Sequence, residues 1–442
     1  MAGVIPAGHS VRSAALRCAV AALYTAIASA AIARAPAPLP AAAAAAQTLS
    51  AGRLRQLGRE IGRRVDEGTW PGTVTLVARH GRILHWQAHG WRDLSRTSRM
   101  ERDSIFRVYS MTKTAASVAA LMLAEQGALA LDDEVAEHLP AFAGLLVLAG
   151  GTPDAPLLRA PRRPLTIRHL LIHAPGFATA PGDGAAAELL ARAGLDVATG
   201  FDDFCARLVT VPLAADPGSR FAYDGLQFVV LSRLVEVASD MPFDRFLHER
   251  LFAPLGMRDT GFVVPPAERH RIVEMTTSGA DGRLVPSPEY ADRVAGEMIG
   301  PYPSGAGGLY STAGDWLRFS RMLLNGGELD GVRVLSRASV AEMWTNQLPR
   351  LDPPAEEFRP GAGFGIGGHL VTDPERLDRA GARGEFGWNG AAATWFAIDR
   401  DRGIIAMILM QHLPRGLPGD PPRAGPVFYN LLHQSQAIPL RR

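Results

Sequence analysis

Ser110 and Lys113, three residues apart in RVYSMTKTAAS, are the pair with the clearest chemical potential in this chain. Of 46 basic residues, Lys113 is the only lysine. Arginine fills every other cationic position, and a guanidinium cannot release its proton inside a protein. A lysine can, where burial disfavours its charged form. Residues at i and i+3 share one face of a helix, so this amine can reach that hydroxyl. A neutral amine there would take the serine proton and make the oxygen a nucleophile. An unperturbed lysine near pKa 10.4 is only about 0.04% neutral at pH 7, so the pair needs an apolar setting. Unpaired backbone N–H groups in a first helical turn would also favour a developing oxyanion.

The flanking sequence provides that setting. TAASVAALMLAEQG is nearly all apolar and stops at Gly127, the pattern of a helix buried on every side. Ahead of it, LSAGRLRQLGREIGRRVDEG has helical spacing, with Leu54, Leu57 and Ile61 on one stripe. GTVTLVARHGRILHWQAHGW reads as two strands joined at His80-Gly81. Near the end, AAATWFAIDRDRGIIAMILM is a second hairpin, and PVFYNLLHQ a final amphipathic segment. STAGDWLRFSRMLLNGG is a helix capped by Ser311 and Thr312 and ended by two glycines. Between about 130 and 300 there are helices and Pro/Gly-rich loops with little strand signal. The expected fold is therefore α+β. Its antiparallel sheet is built from both chain ends and flanked by helices, beside an all-helical lobe, with the active site in the cleft between them. The expected boundaries are an α/β part at about 47–110 and 305–442 and a helical part at about 111–304.

The chain has 442 residues, 47% hydrophobic and 20% charged, enough for a large core. A net charge of +2 makes no electrostatic case for nucleic acid as a partner. Residues 1–46 read as a signal peptide and Ala/Pro-rich leader: Arg12 and Arg17 precede the apolar run CAVAALYTAIASAAIA. Cleavage is expected after Ala30 or Ala46, leaving a periplasmic or secreted protein with no stable membrane span. Cys18 follows an arginine with no apolar run upstream, which argues against a lipid-modified cysteine. After cleavage Cys205 has no partner for an intramolecular disulfide.

The segment DSIFRVYSMTKTAASVAALMLAEQGALALDDEV resembles the active-site helix of the serine β-lactamase and penicillin-binding-protein superfamily. The likeness continues through LTIRHLLIHAPGF, ADPGSRFAYDGLQFVVLSRLVE, LFAPLGMRDTGF, SGAGGLYSTAGDWLRFSRMLLNGG and FGWNGAAATWFAIDR, over roughly residues 50–412. The pattern is similar to the branch of class C β-lactamases, D,D-peptidases and β-lactamase-like carboxylesterases. The resemblance implies Ser110 as nucleophile, Lys113 as its activator, and Tyr223 of Tyr223-Asp224-Gly225 as the proton shuttle. The family's second motif ends in asparagine, where this chain has Gly225. The third motif usually opens with lysine, and here reads Trp388-Asn389-Gly390. The implied oxyanion hole is the backbone N–H groups of Ser110 and Ala391. Losing the asparagine and the lysine removes the usual partners of a β-lactam's amide and carboxylate, and Trp-x-Gly is common in the esterase branch. The resemblance thus implies a carboxylesterase for short-chain esters, with a small-molecule ester or amide as partner and no cofactor. A β-lactamase, a D-amino-acid peptidase and a non-catalytic sensor with the same fold are the alternatives.

Other constellations are weaker. His169 and His173 have the i, i+4 spacing of a zinc pair, but no glutamate lies between them and Pro175-Gly176 follow at once. His85 and His89 share that spacing in a strand, about 13 Å apart, too far for one ion. The G-x-S-x-G elbow of α/β-hydrolases is absent.

Overall fold

The computed structural model describes residues 49–417 and 420–434. The leader and its cleavage sites lie outside the described residues. Helix α1 (Ala51–Asp66) leads into strands β1 (Thr73–Arg79) and β2 (Arg82–His89). His80 and Gly81 both take positive φ, 46° and 78°, the geometry a tight two-residue hairpin requires. A 3₁₀ turn, Tyr109–Met111, runs directly into helix α2 (Thr112–Glu125). The middle of the chain carries the hairpin β3 (Val147–Thr152) and β4 (Ala155–Arg159), then helix α3 (Leu226–Ser239). Helix α4 (Ala313–Leu324) follows, capped by the Thr312 hydroxyl, which accepts from the Asp315 N–H. Strands β5 (Ala362–Phe364), β6 (His369–Val371), β7 (Phe386–Asn389), β8 (Trp395–Asp399) and β9 (Ile404–Leu409) precede helix α5 (Ala424–Gln434).

The main sheet has seven strands in the order β5-β6-β7-β8-β9-β1-β2, every neighbour antiparallel. The pairing of β1 with β9, from Val74 opposite Leu409 to Arg79 opposite Ile404, closes the two chain ends into one sheet. Both faces of β9 are buried, which explains its unbroken apolar run. Ile404, Ala406 and Ile408 meet Leu57, Ile61 and Phe428 of α1 and α5. Ile405, Met407 and Leu409 face the larger core with α2 and α4. Helix α2 is buried from Thr112 to Leu123, as its composition requires, and packs against α3.

Two expectations need correction. The lobe read as all-helical is mainly helical, but it carries the β3–β4 hairpin. Beside its own ladder that hairpin makes a parallel bridge from Val147 to Leu213, and it leaves Leu157 and Leu158 exposed, so its strands lack the buried alternating pattern that marks a strand in sequence. Ser311 does not cap α4: it pairs with Phe106 in a short two-stranded ladder, and Thr312 alone accepts the helix N–H.

Candidate active site

The chain reaches Ser110 through that short ladder, Phe106–Arg107 against Tyr310–Ser311. Tyr109 then takes φ +47°, sparsely populated for a residue with a side chain. Its hydroxyl bonds to that of Tyr290. Ser110 sits in the 3₁₀ turn just before α2, not within the first turn of the α-helix itself. Lys113 is the second residue of α2, and its Nζ lies 3.1 Å from Ser110 Oγ. The same nitrogen donates to the Ala306 carbonyl at 2.6 Å. Rings of Tyr223 and Phe228 stand 5.1 and 5.7 Å from it. Only 4% of Lys113 is exposed. Desolvation brings its pKa down to about 7, against the opposing pull of Asp224.

Tyr223 lies in the loop that enters α3, and His173 holds that loop. His173 has φ +56°; its carbonyl accepts from the Ala222 N–H at 2.7 Å and its Nδ1 from the Asp224 N–H at 3.4 Å. Its ring is 4.5 Å from the Tyr223 ring. His169 instead accepts the Thr166 N–H at 3.1 Å, within a helix cap. The Tyr223 hydroxyl receives a hydrogen bond from Trp388 Nε1 at 3.0 Å. Burial raises the Tyr223 pKa, and hydrogen bonds to Ser110 and Trp388 partly offset it. Serine and lysine from one turn-and-helix segment thus meet a tyrosine more than a hundred residues further along the chain.

Strand β7 forms the other wall. A side chain at Gly390 would overlap Thr394 Oγ1 and the Val108 carbonyl, and would come within 3.0 Å of Tyr109 Cβ. Glycine is needed there because the β7–β8 turn presses directly onto the turn that holds Ser110. Thr394 Oγ1 reinforces the contact by donating to the Val108 carbonyl at 3.1 Å. Ser110, Tyr223, Trp388, Asn389, Gly390 and Ala391 line one cleft of about 500 Å³. Gly225 does not line it: it caps α3, and an added Cβ would lie 3.3 Å from Ala306 Cβ. A larger concavity, about 1280 Å³, lies between α1 and β2. It contains no serine beside a base.

Sequence reasoning missed two features. Ala306, which accepts from Lys113, carries no signal because its carbonyl belongs to the backbone. Arg379 and His369 line the cleft with Trp395, and the buried Glu385 pairs with Arg379 at 2.6 Å while His369 lies 3.1 Å from the same guanidinium. Nothing in the spacing of those residues marks them as partners.

The beta-lactamase family profile matches residues 57–424. Esterase EstB of Burkholderia gladioli is 33% identical over 368 residues, covering 79% of this chain and 88% of that protein. Lovastatin esterase of Penicillium rubens is 29% identical over 377 residues, covering 78% of this chain and 90% of that protein. Among solved structures, EstCE1, described as a hydrolase with promiscuous acyltransferase activity, superposes with a TM-score of 0.71 at 25% identity, covering 88% of this chain and 99% of that one.

Proposed function

Because the chain belongs to the beta-lactamase family, we propose that it is a carboxylesterase for short-chain esters, working through an acyl-enzyme on Ser110. The observation that carries the reading is Lys113 Nζ, 3.1 Å from Ser110 Oγ with its pKa brought to about 7. About half of such an amine is neutral at pH 7, against about 0.04% for an ordinary lysine.

In this mechanism neutral Lys113 takes the hydroxyl proton as Ser110 Oγ attacks the ester carbonyl. The carbonyl π electrons move to oxygen, and the backbone N–H groups of Ser110 and Ala391 stabilise that oxyanion. Tyr223 hands a proton to the departing alkoxide as the carbonyl re-forms, and is reprotonated through Lys113. Water then attacks the acyl-serine carbonyl as Tyr223 and Lys113 take its proton, and they pass that proton to the departing Ser110 Oγ, releasing the acid and the resting enzyme. Trp388 in place of a lysine, and Gly225 in place of an asparagine, support a simple ester over a β-lactam. The sequence similarity to EstB supports the same choice.

One purified sample tested against p-nitrophenyl esters, nitrocefin and D-Ala-D-Ala peptides decides among the enzyme readings. Fluorophosphonate labelling should place a single adduct on Ser110, and an adduct on a different serine would overturn the mechanism. The leader at 1–46 supports export to the periplasm or beyond. N-terminal sequencing of the mature protein should begin at residue 31 or 47, and an intact Met1 terminus in the exported fraction would refute it.

A further inference from the structure

A separate cavity of about 480 Å³ shares no lining residue with the catalytic cleft. Arg92, Arg107, Glu274, Ser287 and Tyr290 are among its walls. Arg107 is 4% exposed, and its guanidinium lies over the rings of Tyr290 and Tyr310, at 4.4 and 5.1 Å. Aromatic faces meet this cation where a buried arginine ordinarily has a carboxylate. Among the described residues its Nε has no hydrogen-bond partner, and neither do Nε and Nη1 of Arg92. The carboxylate paired with Arg92, that of Glu101, stands 3.5 Å off, outside hydrogen-bonding geometry.

The acids on the cavity wall are already engaged. Asp93 accepts from Ser95, Thr97 and Ser98. Glu274 accepts the Leu94 N–H at 2.7 Å. Three buried guanidinium nitrogens of two cavity-lining arginines therefore lack acceptors among the described residues, and leaving charged donors dry is among the costlier defects a fold can carry. The planar fork of arginine matches the oxygens of carboxylates and phosphates, two at a time. We infer that this cavity binds a small oxyanion, a phosphate or carboxylate group, between Arg92 and Arg107.

The test is thermal unfolding of the purified protein with inorganic phosphate or citrate, each against chloride at matched ionic strength. A saturable rise of about 2–4 °C is expected. A response to phosphate alone assigns a phosphoryl ligand, and one to citrate alone a carboxylate. Arg92→Gln and Arg107→Gln should each lose most of the response, while Arg359→Gln in the catalytic cleft should keep it. Should Arg107→Gln fail to fold, Arg92→Gln, nearer the rim, decides alone. No rise beyond chloride with either anion overturns the assignment. So does a wild-type response in Arg92→Gln, or a response abolished by Arg359→Gln, which would place the anion in the catalytic cleft.

Discussion

Trp388 Nε1 donates a hydrogen bond to the Tyr223 hydroxyl across 3.0 Å, joining residues 165 positions apart. The position that usually holds a lysine thus holds a neutral donor aimed at the tyrosine oxygen, with the two rings 5.0 Å apart. The donor stabilises the phenolate that forms if Tyr223 gives up its proton, and it leaves the cleft without that lysine's charge.

Trp388→Phe keeps an aromatic ring and removes this donor. One neutral hydrogen bond is worth about 0.5–1.5 kcal/mol, so kcat/KM for p-nitrophenyl acetate should fall by about 2- to 13-fold. The Tyr223 pKa, already raised by burial, should rise further, moving any alkaline limb of the pH profile upward. Unchanged kinetics in the folded variant would reduce Trp388 to a packing residue.

Lys113→Arg preserves a cation but cannot supply a neutral base. Turnover should drop by at least ~10²-fold, the lower range for loss of a general base. In the wild type the neutral amine is the active form, so kcat/KM should climb with pH through about 7 and level off above it. A flat profile from pH 5 to 9, or near wild-type turnover in Lys113→Arg, would remove Lys113 from the chemistry.

Burial of Lys113 also has a stability signature. Its folded pKa, about 7, lies below the ordinary value of 10.5, so between those two pH values the unfolded chain holds a proton that the folded chain has released. Unfolding then takes up a proton, and stability gains from this group as pH rises across that window. Below about pH 7 both states are charged and the full desolvation penalty remains. Lys113→Met should therefore help stability most near pH 6 and progressively less toward pH 10. Denaturant midpoints at pH 6, 8 and 10 measure this, and parallel curves for the two proteins would contradict it.

Substrate choice is the remaining prediction. Two polar groups of a β-lactam desolvated without partners cost roughly 1–3 kcal/mol each, lowering kcat/KM for nitrocefin by about 30- to 2 × 10⁴-fold. p-Nitrophenyl butyrate carries neither group and should be the better substrate. Gly225→Asn should raise the nitrocefin-to-ester ratio. Its absolute rates should fall, because the new Cβ lies 3.3 Å from that of Ala306, whose carbonyl holds Lys113. Nitrocefin outpacing the ester by a wide margin in the wild type would make the enzyme a β-lactamase.

What the sequence determined by itself was local: residue chemistry and short-range pattern. The lone lysine three residues after a serine, the apolar helix around it, the His80-Gly81 turn and the unbroken apolar run of β9 all follow from spacing and side-chain type, which act over a few residues. The match to family motifs added Tyr223 and Trp388-Asn389-Gly390, but as candidates without distances. Tertiary structure decided the rest. Closing β1 against β9 brings the two chain ends into one sheet and carries Gly390 onto the turn that holds Ser110, where no side chain fits. The contact of Trp388 with Tyr223, the use of the Ala306 carbonyl by Lys113, and the retreat of Gly225 from the cleft depend on how α2, α3 and β7 pack. The value near 7 for Lys113 belongs to this second group, because a pKa answers to the dielectric and the charges around the amine, and those exist only once the chain has enclosed it.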